Sequence, residues 1–219
     1  MDYGQKREII ARRVAKEFKD SDIVNLGIGL PTLVADYIPE NVNIILQSEN
    51  GFVGLGPTPE KGKEDLDLVN AGGQPVTVKS GGAFFDSATS FAIIRGGHLD
   101  ATVLGALEVD QKGDFASWMI PGKLTPGMGG AMDLAVGAKR VIIAIEHLTK
   151  EGKPKILKKC TLPLTAKEEA DLIVTDMGVF SVTAKGLLLI EISSGNNLND
   201  IIAATDADLI ISDKIREMI

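Results

Sequence analysis

The chain is poor in the side chains that most often announce a function. Its 219 residues hold one cysteine, one tryptophan, two tyrosines and two histidines. A lone Cys160 cannot close an internal disulfide, and no histidine stands near its Lys-Cys-Thr-Leu-Pro stretch to make a thiolate nucleophile of it. It reads as a small packed side chain and as the mark of a cytoplasmic setting. His98 and His147 are far apart and neither neighbours a cysteine, so no metal site is expected. Runs of Lys and Arg are missing and the net charge is −7. With so few aromatics, nucleic acid is not an expected partner. No apolar stretch approaches the roughly 20 residues that span a bilayer, and the Met1 to Glu8 segment is polar, so neither export nor membrane insertion is indicated. Linkers rich in serine, proline or one charge are also absent. With 44% hydrophobic and 24% charged residues, the length predicts one domain over residues 1–219.

What is present is an α/β pattern. Ile9, Ile10, Val14 and Phe18 recur at helical spacing, with Lys6, Arg7, Arg12, Arg13 and Lys16 on the remaining, solvated faces, so residues 5–18 are expected to open the chain as an amphipathic helix. Apolar runs then follow at 22–26, 42–46, 101–104, 140–144 and 171–175. Short runs without strict alternation suit strands covered on both faces, as in a mostly parallel sheet with helical connections. Residues 179–182 and 186–192 flank Thr183-Ala184-Lys185, a hairpin signal. The expected fold is therefore an open, mostly parallel α/β sheet flanked by helices and mixed at one edge. A short helix at 199–204 precedes a last apolar run at 209–211.

Glycine is the abundant residue. The chain holds 24, concentrated between 27 and 137 and often paired, as at 72–73, 81–82, 96–97 and 129–130. Each pair alone reads as a tight turn. Together, at strand ends, they suit a crevice where backbone amides approach a ligand closely. The first cluster, Gly27-Ile28-Gly29-Leu30-Pro31-Thr32, follows a strand, and Glu49 lies twenty residues past Gly29. In a nucleotide-binding oxidoreductase such a turn would hold a pyrophosphate at a helix N-terminus and the acid would bind a ribose hydroxyl. Thr32 in the third glycine slot, a helix cut short by Pro39, and the position of Glu49 inside a turn all count against that reading.

Glu49 sits in Ser48-Glu49-Asn50-Gly51, where the run ending at Gln47 gives way to an Asn-Gly turn. A glutamate there is most often a surface turn residue, yet a carboxylate at a strand end can also face a crevice. The wider sequence weighs on that choice. Val24 to Thr32, Gln47 to Gly51, Val69 to Gly73, Ile94 to His98, Pro121 to Lys123, Gly127 to Leu134 and Cys160 to Thr165 resemble the β subunits of the class I CoA-transferases, most of all those acting on acetoacetyl-CoA with acetate or butyrate. The Ser-Glu-Asn-Gly and Gly-Met-Gly-Gly-Ala-Met-Asp segments form a specific combination, and the matched stretches run through nearly the whole chain.

The resemblance implies that Glu49 is a nucleophile that becomes covalently attached to coenzyme A. It implies Gly130, with Gly129, as the oxyanion contact for the thioester, against the plainer reading of a strand-to-helix turn. It suggests that Gly27, Ile28, Gly29, Leu30, Pro31, Asn70, Gly72 and Gly73 line the coenzyme A tail and that Lys123 meets one of its phosphates. Coenzyme A enters as substrate, and no permanently bound cofactor is expected. A homologous α subunit, in a heterodimer or heterotetramer, is the expected partner. A noncatalytic subunit of the same fold is the remaining alternative, and Glu49 speaks against it.

Overall fold

The computed structural model describes residues 2–123, 125 and 127–218. The first helix, α1 (Tyr3–Ala15), is started by a capping box: the Asp2 carboxylate accepts from the Gln5 N–H at 2.8 Å, and the Gln5 side chain accepts from the Asp2 N–H at 2.9 Å. Ile10, Ala11, Val14 and Ala15 make its buried stripe. Arg13 departs from the solvated face that the sequence suggested. It is 6% exposed, and its guanidinium forks onto Glu191 at 2.5 and 3.0 Å. A strand from the far end of the chain supplies that partner, so the local pattern could not reveal it.

After α1 come β1 (Ile23–Leu26), a 3₁₀ helix (Pro31–Tyr37), β2 (Ile45–Ser48), β3 (Phe52–Leu55), β4 (Val78–Phe84), α2 (Ser87–Arg95) and β5 (Ala101–Leu104). Next are β6 (Glu108–Asp110), β7 (Phe115–Ala116), α3 (Ala131–Gly137), β8 (Val141–Ala144) and β9 (Ile156–Leu157). The order closes with β10 (Leu172–Val174), β11 (Gly178–Thr183), β12 (Gly186–Ser193), α4 (Leu198–Ala204) and β13 (Leu209–Met218). Ten strands form one sheet in the order β13-β12-β11-β10-β8-β5-β1-β2-β3-β4, and β7-β6-β9 form a small second one.

The centre of the large sheet is parallel, from β10 through β8, β5 and β1 to β2. All four residues of β5 and of β8 are buried, as continuous apolar runs between two covering layers should be. Antiparallel pairing joins β10, β11 and β12, where the hairpin was expected, and also β2, β3 and β4 on the other flank. The second flank follows from the turn at residues 49–51, because a short turn can only return a strand antiparallel. Val24, Leu46, Val103 and Ile142 pack with Ile10 and Val14 of α1 on one face, while Leu104 and Ile143 pack with Ile94 of α2 and Leu134 of α3 on the other. β1 is the switch point. Its neighbours β2 and β5 are reached over opposite faces, so a crevice opens outside the carboxyl ends of these strands.

Candidate active site

Glu49 emerges where β2 ends. Its turn is closed by the Gly51 N–H donating to the Ser48 carbonyl at 3.0 Å. Gly51 is required there: its φ is +132°, and a Cβ would stand 2.3 Å from the Phe85 carbonyl oxygen. That carbonyl belongs to the segment entering α2, so the turn is pressed against the layer that also carries α3.

On this face the strands bring together polar side chains that an apolar sheet would normally exclude. Asn25 of β1 and Gln47 of β2 are register partners, 0% and 3% exposed. The Asn25 Nδ2 donates to Gln47 Oε1 at 2.8 Å and to Glu49 Oε2 at 3.0 Å. Gln47 Nε2 donates in turn to the buried Ser90 hydroxyl of α2 at 3.0 Å. The glutamate is half-buried, with one carboxylate oxygen fixed by the end of a buried amide chain. Sequence reasoning did not single out Asn25, Gln47 or Ser90 as site residues. The usable signal was a polar residue inside each of two strands that otherwise read as buried, Ile-Val-Asn-Leu and Ile-Leu-Gln-Ser.

Gly130 comes to the same place from the other side. It caps α3, and a Cβ on it would lie 3.4 Å from Glu49 Cγ and 3.4 Å from the Phe91 ring. Its φ of −84° suits any residue. A methyl would fit there in ordinary contact and anything larger would not, so Gly130 leaves open space beside the glutamate's methylene. Gly129 precedes it in the left-handed region, φ +54°.

The predicted coenzyme A residues fall into separate groups. Ile28, Asn70 and Gly72 line a cleft of about 210 Å³ beside the end of β2, together with Thr32, Ser48 and Pro57. Gly72 lies against Ile28, with 3.5 Å between a Cβ built on it and Ile28 Cγ1. Ser48 accepts from the Ala71 N–H at 3.2 Å, tying this loop to the glutamate's strand. Asn70 spends its carbonyl oxygen on its own loop, accepting from Gly72 and Gln74 N–H at 2.9 and 3.0 Å. Leu30 and Pro31 are buried, Leu30 in the core against α1. Gly27, Gly29 and Gly73 adjoin the cleft in sequence. Lys123 is exposed and is not part of that lining; its charge instead bears on Glu151.

Two other titratable side chains are accounted for structurally. Cys160 donates its thiol to the Asp114 carbonyl at 3.4 Å, and burial, helped by Asp110, Glu108 and Asp114, pushes its pKa up, away from thiolate chemistry. Burial lowers His147 to about 4, and its ring nitrogens lie 3.0 Å from the Thr175 and Thr205 hydroxyls. Among the described residues no group of three or more His, Cys, Asp or Glu side chains is placed to hold a metal, and no helix is long and apolar enough to cross a membrane. The glycine loop after β1 leads into a 3₁₀ helix, not the α-helix a pyrophosphate site needs, and Glu49 lies outside the cleft lining.

Fold and site define an open α/β protein with a ligand crevice at the carboxyl edge of its sheet and a fixed carboxylate beside it. The coenzyme A transferase model matches residues 7–204, and the chain belongs to that family. It is 58% identical over 213 residues to the acetate CoA-transferase subunit beta of Haemophilus influenzae, covering 97% of this chain and 95% of that one. The mouse mitochondrial succinyl-CoA:3-ketoacid coenzyme A transferase 2B is 51% identical over 99% of this chain, which spans 42% of the mouse polypeptide. Among solved structures, the acyl-CoA transferase YdiF apoenzyme of Escherichia coli O157:H7 aligns with a TM-score of 0.78 at 25% identity, over 98% of this chain and 43% of the other.

Proposed function

We propose that this chain, as one domain and as the catalytic β subunit of a two-subunit enzyme, moves coenzyme A between a short-chain acyl-CoA and a carboxylate through a covalent thioester at Glu49. The observation that carries the reading is the meeting of Glu49 and Gly130. Two segments remote in sequence bring a residue without a side chain beside a strand-end glutamate, in a family whose members handle coenzyme A. The relatives' printed names, acetate and succinyl-CoA:3-ketoacid transferases, favour acetate, succinate or acetoacetate among the substrates and a homologous α subunit as partner.

The chemistry explains the residue. Glu49 attacks the acyl-CoA carbonyl, forming a mixed anhydride and releasing CoA thiolate. The thiolate adds to the glutamyl carbonyl, the first acid leaves, and the enzyme holds CoA as a glutamyl thioester. An acceptor carboxylate then runs the same steps in reverse. A carboxylate can do this because it has the functional group of the substrates. Its first attack is uphill, since a weakly basic carboxylate must expel a more basic thiolate. Binding of the remote parts of coenzyme A along the Ile28–Gly72 cleft offsets that cost, and the Gly130 amide, with Gly129, steadies the oxyanion on the substrate carbonyl.

The test is acceptor dependence. The complex with its partner subunit, given acetoacetyl-CoA and a panel of carboxylates, is expected to exchange CoA without added metal or nicotinamide. Consumption of NADH in place of exchange would contradict the reading.

A further inference from the structure

We propose that Ser90 of α2 is a positioning residue for Glu49: its hydroxyl ends a buried hydrogen-bond chain through Gln47 and Asn25 that decides which oxygen of the glutamate is free to attack. The inference rests on the nucleophilic role of Glu49 proposed above. It starts from the far end of the chain, since the contact of Asn25 with Glu49 belongs to the site already described. Ser90 and Asn25 are fully buried and Gln47 is 3% exposed, so none of the three can turn to bulk water for a partner.

Each link dictates the next. A carboxylate only accepts, so Asn25 must present its Nδ2 to Glu49 Oε2, at 3.0 Å. The same nitrogen donates to Gln47 Oε1 at 2.8 Å and reaches the Gln47 carbonyl at 3.3 Å. With its side-chain oxygen committed, Gln47 carries its Nε2 toward α2 and needs an acceptor there. Ser90 Oγ supplies it at 3.0 Å. A hydroxyl can give or accept, so Ser90 takes the role that the glutamate imposes through two amides. The arrangement is held at a cost: Asn25 Oδ1 has no hydrogen-bond partner among the described residues.

The consequence falls on Glu49. Among the described residues the bond from Asn25 is the one hydrogen bond its carboxylate accepts, so Oε2 is tied and Glu49 Oε1 is left to form the C–O bond to the acyl carbon. The carbonyl pair of the thioester moves onto the acyl oxygen, and as it returns the C–S bond breaks and CoA leaves as thiolate. Without the Ser90 oxygen, the Gln47 amide nitrogen is buried and unpaired, an unfavourable state that is relieved by turning the amide over or drawing it aside. Either movement takes Gln47 Oε1 away from Asn25, and the amide that holds the glutamate loses its second restraint. The nucleophile is then no longer held in one place.

The test uses the complex with its partner subunit. For Ser90→Ala, Gln47→Met and the double variant, kcat, the acyl-CoA KM and single-turnover formation of the borohydride-trapped thioester are measured, each variant being checked for assembly and thermal unfolding. Ser90→Ala is expected to lower kcat and thioester formation about 10–100-fold, the range brought by a misplacement of up to about 1 Å, with KM unchanged. Gln47→Met is expected to be at least as slow, and Ser90→Ala added to it to cost nothing more, because no amide is left to hold. If Ser90→Ala does not assemble, Ser90→Cys carries the test, keeping the shape with a weaker acceptor; if Gln47→Met does not, the Ser90 variants alone decide. Wild-type rates in a folded Ser90 variant, a loss confined to KM or to thermal stability, or losses that multiply in the double variant would overturn the role of Ser90 while leaving Glu49 untouched. A wild-type complex that turns over with no thioester at position 49 would overturn both.

Discussion

At the scale of single residues, the space beside Gly130 admits a methyl and nothing larger without displacement. A Cβ at Gly130 would just touch Glu49 and Phe91, at 3.4 Å each. Gly130→Ala is therefore expected to fold and keep much of the activity, whereas the extra methyls of Gly130→Val must displace Glu49 or the Phe91 ring. A misplacement on the order of 1 Å can cost about a hundredfold in rate. Turnover of the two variants in complex checks the difference, and equal rates would move the oxyanion contact elsewhere. His147 supports a prediction of another kind. Burial lowers it to about 4 against Asp176, which raises it. The unfolded chain then binds the extra proton between about pH 6.5 and pH 4, so stability is full above that window and is lost as pH falls through it, by about 3 kcal/mol at most. Denaturant midpoints across this range should decline in the wild type and decline less in His147→Gln.

At the scale of elements, much of the architecture could be read in advance, and the reasons differ between elements. The central strands announced themselves because burial on both faces leaves an unbroken apolar run, as in Val-Ile-Ile-Ala of β8. The hairpin of β11 and β12 showed its turn. β4, with Gly81 and Gly82 at its middle and an exposed edge, carries no such pattern, and the antiparallel flank went unforeseen. Glu49, Gly130 and the glycine loops were legible through motif. Asn25, Gln47 and Ser90 were not, because their partnership exists only once β1 and β2 are in register and α2 is laid over them. The same holds for α1. Arg13 looked like surface charge, yet Glu191 on β12 holds it by two hydrogen bonds, and Arg216 of β13 reaches the same carboxylate at 2.8 Å. Glu17, bonded to Arg13 and Arg140, has its pKa lowered on balance: burial raises it, and the two guanidiniums outweigh that. Glu191→Gln leaves Arg13 buried without its full charge partner and is expected to cost about 3–5 kcal/mol, read from a urea midpoint. A change below about 1 kcal/mol would show the pair to be screened like a surface bridge.

At the scale of the whole molecule, the proposed reaction calls for a second subunit. The mouse relative carries a stretch matching this chain within a polypeptide more than twice as long, and the bacterial relative is by name a subunit. The Glu49 turn and the start of α3 lie at the carboxyl edge of the sheet, where a second α/β unit is expected to close the acyl pocket. Co-expression with an α subunit is accordingly expected to raise CoA exchange greatly over the isolated chain. Full activity of the isolated chain at low concentration would contradict the shared site.

The most direct test of the central claim is a chemical trap. The wild-type complex incubated with acyl-CoA and no acceptor should accumulate a glutamyl thioester, which borohydride reduces while a free carboxylate resists. Peptide mapping is expected to find the reduced residue at Glu49, and Glu49→Asp and Glu49→Ala complexes should give no such product. Trapping at Cys160, or no trapping at all under conditions of demonstrated turnover, would contradict it.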